Sequence, residues 1–285
     1  MPDGEITEQH GTPILKMELP TNKSKQKILF LGDLHWDHPT CDRTTLKRLL
    51  DDAVNQDAWI VLVGDVLCTM QGRKDGRHSK GDVRPEHMVE DYFGAVIDTA
   101  IDWFTPYARN IWIMLEGNHE SAIRKHNEID LVRQLSRGLN DRTGSSIVYP
   151  GYSTYALAQV VSNGTRRTGH AFWLAHGHGG GGEVTKGTIQ AQRRAVTYPD
   201  AEYVVSGHIH SSYFVAHEQW RITRSGRAYA TEQQHYVVNT FKQEFKRGRG
   251  GFHVERGRGP RIPSGWMSEW FNFKDDVRSR WYRVT

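Results

Sequence analysis

Short apolar runs that stop at a glycine recur along this chain, and polar side chains follow each of them at once. Lys27–Gly32 (KILFLG), Ala58–Gly64 (AWIVLVG) and Ile111–Gly117 (IWIMLEG) read as buried strands that open into loops. Ser153–Val161 and Gly169–Ala175 read as two more, either side of a polar turn at Ser162–Thr168, and Glu202–Gly207 (EYVVSG) as another. Helical spacing runs between them. Arg43–Gln56 sets leucines and a valine at helical intervals behind Asp42 as a cap. Glu86–Phe104, Ser121–Gly138 and Lys186–Arg194 read as further helices, with Gly138 closing its own.

Strands alternating with helices, then a strand-rich half, predict an α/β layered fold with a mixed sheet. Residues 1–26 lack periodicity and read as a polar tail. The body spans 27–240, and 241–285 form a basic and aromatic extension packed on it. Within that extension Gly248–Gly265, rich in Gly, Arg and Pro, reads as irregular, whereas Trp266–Trp281 is aromatic enough to dock. Thr69–Pro85 is a long polar loop, and such loops are often functional.

Composition narrows the classes. No apolar run approaches the ~18 residues that span a bilayer, and residues 1–20 lack the basic and apolar regions of a secretory signal. Only Cys41 and Cys68 are present, so no disulfide framework is expected and a cytoplasmic setting is favoured. Charge is uneven: residues 1–219 carry 23 Lys+Arg against 27 Asp+Glu, whereas 220–285 carry 14 against 6. A basic last quarter suits a polyanion such as nucleic acid, and equally a solvated charged surface.

The polar residues at the strand ends carry the chemistry. They are Gly32-Asp33-Leu34-His35, Gly64-Asp65, Gly117-Asn118-His119-Glu120, His176-Gly177-His178 and Gly207-His208-Ile209-His210. Loops at the carboxyl ends of strands in an α/β sheet converge on one crevice. Asp and His are metal ligands, and buried carboxylates and imidazoles without partners are costly. Each motif alone is weak; five in succession at strand ends point to a metal site.

In this order the motifs resemble those of the calcineurin-like metallophosphoesterases, across residues 32–210. The resemblance implies a four-layer α-β-β-α sandwich of two mixed β-sheets flanked by helices. It implies one divalent cation on Asp33, His35, Asp65 and His210, and a second on Asp65, Asn118, His176 and His208, with Asp65 and a water or hydroxide bridging them. Two cations about 3.5–4 Å apart clamp phosphoryl oxygens and acidify a shared water. Mn²⁺ is the first choice of metal, with Zn²⁺, Fe or Ni²⁺ as alternatives. His119 would protonate the leaving oxygen, or at least stabilise the transition state. Asp37 and His38 would lie behind the ligands or on the surface.

Two departures limit the resemblance. Protein Ser/Thr phosphatases continue Gly-Asp with Asp-Arg-Gly, and the repair nuclease of the superfamily has a second active-site histidine, whereas this chain reads Gly64-Asp65-Val66-Leu67-Cys68. Cys68 is then either a small buried residue or part of the site. The group that orients His119 is missing from the motif, with Glu120 or Glu116 as substitutes. His178 and the loop cations Arg73, Lys74 and Arg77 are candidates for contact with substrate phosphates.

Asn239–Trp270 resembles the same stretch of metallophosphoesterases encoded in bacteriophage genomes, a looser likeness than the metal motifs. Its arginines and Phe252, Trp266, Trp270 and Phe271 could stack bases, or pin the C-terminus to the sheet, which suits the tryptophans better. The expected substrate is a phosphodiester of a nucleic acid or nucleotide, with no membrane partner. A broad-specificity phosphomonoesterase and a non-catalytic binding module on the same scaffold are the rivals.

Overall fold

The computed structural model describes residues 2–69, 80–164, 166–180, 185, 187–243, 245–246, 249–250, 261–274 and 276–285. Its first feature corrects the expected polar tail. Residues 4–19 form a hairpin of β1 (Gly4–Gln9) and β2 (Thr12–Leu19). In β2, Leu15, Met17 and Leu19 alternate with Lys16 and Glu18, and all three are fully buried. This is the two-residue period of a strand with one face on a core. Polar flanks hide it in the sequence.

The expected buried strands are β3 (Lys25–Leu31), β4 (Trp59–Val63) and β5 (Ile111–Leu115), paired in parallel. The C-terminal hairpin, β13 (Gly265–Phe273) and β14 (Asp276–Val284), joins them, with β13 antiparallel to β3. This five-stranded sheet runs β14-β13-β3-β4-β5. The second sheet adds β6 (Ser153–Ser162), β7 (Arg166–Ala175), β8 (Tyr203–Ser206), β9 (Tyr213–Ile222) and β10 (Ala228–Val237). Its order is β1-β2-β6-β7-β8-β10-β9, with parallel and antiparallel pairs. Two further two-residue strands, β11 (Phe245–Lys246) and β12 (Arg249–Gly250), pair with each other.

Alternation along β3 shows how the layers are held. Ile28 and Phe30 enter the core between the sheets, with Leu15, Val61, Trp112, Phe172 and Trp270. Leu29 and Leu31 face the other way, into a core shared with the helices. Each such side chain contributes ~1.5–3 kcal/mol relative to exposure. The helices on that side are α1 (Arg43–Asn55), α2 (Tyr92–Phe104), α3 (Asn118–Asn127) and α4 (Leu131–Thr143). On the far face of the second sheet α5 (Thr188–Thr197) lies against β9. The result is the expected four-layer α-β-β-α arrangement.

Helix boundaries differ where side-chain caps override periodicity. Asp42 caps α1 as expected, accepting from Thr45 N at 3.1 Å. The helix expected from Glu86 begins only at Tyr92, because Asp91 accepts from Gly94 N. The single helix expected over 121–138 is two. Glu128 adopts a left-handed φ of 58°, and Asp130 then caps α4 through Arg133 N. Gly138, expected to end a helix, lies inside α4, where a Cβ would stand 2.4 Å from Ile101 Cδ1. The glycine lets α4 pack closely against the Ile101 side chain of α2. The aromatic C-terminus docks as expected: Trp270 is fully buried, and Trp281 stacks on Tyr236 with ring centroids 4.0 Å apart.

Candidate metal centre

The five motifs leave the carboxyl ends of β3, β4, β5, β7 and β8, and the structure brings them to one place. The loops are tied by main-chain hydrogen bonds: Asp33 N donates to Gly64 O at 3.0 Å and His35 N to Asp65 O at 2.9 Å. His208 N donates to Asp33 Oδ2 at 2.7 Å, and His119 N to Asp65 Oδ1 at 3.0 Å. Glycines allow this approach. A Cβ on Gly117 would lie 2.1 Å from Asp65 Oδ1, and one on Gly207 2.4 Å from Asp33 Oδ2. Asp33, His35, Asp65, His208 and His210 all adopt positive φ, between 45° and 76°. Such backbone costs on the order of 1–3 kcal/mol per residue and persists only where the surroundings impose it.

Seven of the expected ligands form two adjoining clusters. In the first, single atoms of Asp33, His35, Asp65 and His210 all lie within 4.8 Å of one another. His35 Nε2 and His210 Nε2 face each other at 3.3 Å, and His210 Nε2 is 3.3 Å from Asp33 Oδ1. In the second, Asn118 Oδ1 is 2.8 Å from His208 Nδ1 and 3.0 Å from His176 Nε2. Those two imidazole nitrogens are 3.3 Å apart. Asp65 Oδ2 stands between the clusters, 3.8 Å from His35 Nε2 and 3.4 Å from His176 Nε2.

This donor set fits divalent cations. Asp33 Oδ1 is buried and makes no hydrogen bond. Facing imidazole nitrogens beside an unsatisfied carboxylate oxygen are what a shared cation resolves. His176 Nδ1 lies 3.0 Å from Val63 O; a carbonyl only accepts, so Nδ1 carries the proton and Nε2 is turned to the cluster. Burial lowers the His176 imidazole, but the Asp65 and Asp33 carboxylates outweigh it and push the ring up to about 10. The site therefore draws positive charge, as a proton or as a metal ion. His35 is held well below its usual range by burial and then by its neighbour His119.

His119 sits at the mouth, half-buried, its ring edge-on to His35 with centroids 4.8 Å apart. Neither Glu120 nor Glu116 orients it, which corrects the expectation. Glu120 accepts from Leu67 N and Gly117 N, both at 2.8 Å, so it ties the second motif to the third. Burial and then Asp65 push the Glu120 carboxyl up to about 8. Glu116 accepts from Arg124 and Tyr149. The partner of His119 Nδ1 is the backbone: Cys68 O, at 2.7 Å.

Cys68 is a small buried residue, as one of the two readings expects, and it lies beside the cluster. It is 1% exposed, and its sulfur is within 4.8 Å of nitrogens of His35 and His119. Both cysteines are free and buried. Asp37 and His38 are buried too, at 3% exposure each. Asp37 accepts from Thr69 N at 2.8 Å and from Cys68 N, a contact that its place two residues beyond His35 hints at only once the loops are folded. Thr240, absent from the motifs, is fully buried and donates to Asp33 O at 2.8 Å. His178 is exposed at the rim. Arg73, Lys74, Arg77 and Phe252 lie outside the described residues.

Comparison with known proteins adds a family. The model of the calcineurin-like phosphoesterases matches residues 26–212. No curated protein matches the chain. Among solved structures it is similar to vacuolar protein sorting 29 from Cryptosporidium parvum, at 12% identity and TM-score 0.37, covering 92% of this chain and 98% of that one. It is also similar to Vps29 from Entamoeba histolytica in complex with zinc, at 9% identity and TM-score 0.36, covering 90% and 98%. No helix among the described residues is long and apolar enough to cross a membrane.

Proposed function

The chain belongs to the calcineurin-like phosphoesterase family, and we propose that it hydrolyses phosphodiester bonds in nucleic acids or nucleotides with two divalent cations. The observation that carries this reading is the position of Asp65 Oδ2 between two nitrogen-rich clusters. Asp33, His35, Asp65 and His210 would hold one cation, and Asp65, Asn118, His176 and His208 the other. Bound there, Mn²⁺ ions, or Zn²⁺, Fe or Ni²⁺, would supply Lewis-acid charge to the phosphoryl oxygens and lower the pKa of water.

The chain's own residues do the rest. Asn118, a neutral oxygen donor, leaves the site enough positive charge for an anionic ester. His119 has its Nδ1 proton committed to Cys68 O, so Nε2 is the atom that delivers a proton to the leaving oxygen. The basic last quarter of the sequence favours polyanionic substrates.

The test compares bis-p-nitrophenyl phosphate with p-nitrophenyl phosphate, using metal-stripped protein with Mn²⁺ restored. Faster diester cleavage, followed by cleavage of nucleic acid or a cyclic nucleotide, is expected. Much faster monoester cleavage would make the protein a phosphomonoesterase. No hydrolysis with any divalent metal would make it a binding module.

A further inference from the structure

The peptide unit between Cys68 and Thr69 has both of its polar groups committed. Its N–H, on Thr69, donates to Asp37 Oδ2 at 2.8 Å. Its C=O, on Cys68, accepts from His119 Nδ1 at 2.7 Å. The preceding N–H, on Cys68, donates to Asp37 Oδ1, and Tyr92 Oη donates to Asp37 Oδ2 at 3.4 Å. Asp37 thus accepts three donors in a pocket that leaves it 3% exposed. Cys68 occupies the position where protein phosphatases of this superfamily carry the aspartate of Asp-Arg-Gly, and here its carbonyl is the group that meets His119 Nδ1.

We infer that Asp37 is the positioning residue for His119, acting through the 68–69 peptide as a peptide-bridged carboxylate–histidine pair. Asp37 fixes the plane of that peptide by holding its N–H and the one before it. The carbonyl at the opposite end then points at Nδ1, sets the tautomer and aims Nε2 outward. A carboxylate on the N–H side also polarises the amide, which strengthens its carbonyl as an acceptor. Outer-shell partners of metal-ligating histidines cost about 10–100-fold in activity when lost, and a loss of the same order is expected for a partner that positions His119. The role of His119 rests on the phosphodiesterase reading; its geometry does not.

Asp37→Asn tests the relay. The carboxamide keeps the shape but turns an NH₂ toward one of two backbone N–H groups, so it cannot satisfy both. With two cations retained, kcat for a diester with a poor leaving group should fall about 10–100-fold. Activity on bis-p-nitrophenyl phosphate, whose leaving group needs no proton, should stay near wild type, and KM should not move. Equal kcat loss on both esters, or no loss on either, overturns the inference.

A second measurement needs neither turnover nor the variant's survival. Imidazole ¹⁵N and ¹H resonances of wild-type protein, assigned against His119→Gln, should show His119 protonated at Nδ1 with that proton protected from exchange. A His119 proton on Nε2 alone overturns the relay, whatever the activity. If the wild type hydrolyses no ester while the Nδ1 proton is present and protected, the phosphodiesterase reading fails and the relay stands.

Discussion

His210 Nε2 stands 3.3 Å from Asp33 Oδ1, although the two residues come from opposite ends of the motif series. That oxygen is buried without a hydrogen bond, so it and the imidazole nitrogen are placed as two donors to one cation. His210→Ala should therefore empty one cation position rather than unfold the chain. Metal analysis should show the loss of one ion, with hydrolysis falling by more than about 100-fold, beyond the cost of an outer-shell partner. Unfolding on the same substitution would show that His210 serves structure.

Trp270 fills the core between the sheets, with Phe172 and Tyr203 against its ring. Trp270→Ala should cost about 3–5 kcal/mol in denaturant unfolding. The fraction that stays folded should bind metal as the wild type does, because the tryptophan acts through packing. Metal affinity lost in step with stability would mean that the C-terminal hairpin helps shape the site.

His235 is 1% exposed, and its ring lies 4.9 Å from that of His217. Burial, then His217 and Arg194, hold it down at about 3, against 6.5 when unfolded. Between those values the unfolded chain binds the proton and the folded one does not, so stability falls as pH drops from 6.5 towards 3 and is unaffected above. His235→Gln keeps a donor for Gln233 Oε1 and should flatten that stretch of the stability–pH curve. An unchanged acid slope in chemical denaturation would contradict the assignment.

Much of this site is legible in the sequence because it is built at strand ends. An apolar run that stops at Gly-Asp or Gly-Asn-His states both the strand and the polar cluster that follows, and such ends converge in an α/β sheet. The orienter of His119 was not legible, because a backbone carbonyl has no letter of its own. Asp37 acts across a loop-to-loop contact with Cys68 and Thr69, which local spacing does not encode. The β1–β2 hairpin is hidden in the sequence for a different reason. Leu15, Met17 and Leu19 make too short an alternation to stand out among charged neighbours. The break between α3 and α4 depends on Glu128 taking a left-handed conformation, which side-chain periodicity does not register.

In the proposed site Asp65 joins two cation positions. Native mass spectrometry of protein stripped with chelator and reloaded with Mn²⁺ tests it most directly. Wild-type chain should carry two ions, and Asp65→Asn, which removes the shared carboxylate charge, should carry fewer. A wild-type chain saturating at one ion or none, or an Asp65→Asn chain that still holds two as tightly, would contradict the two-cation site.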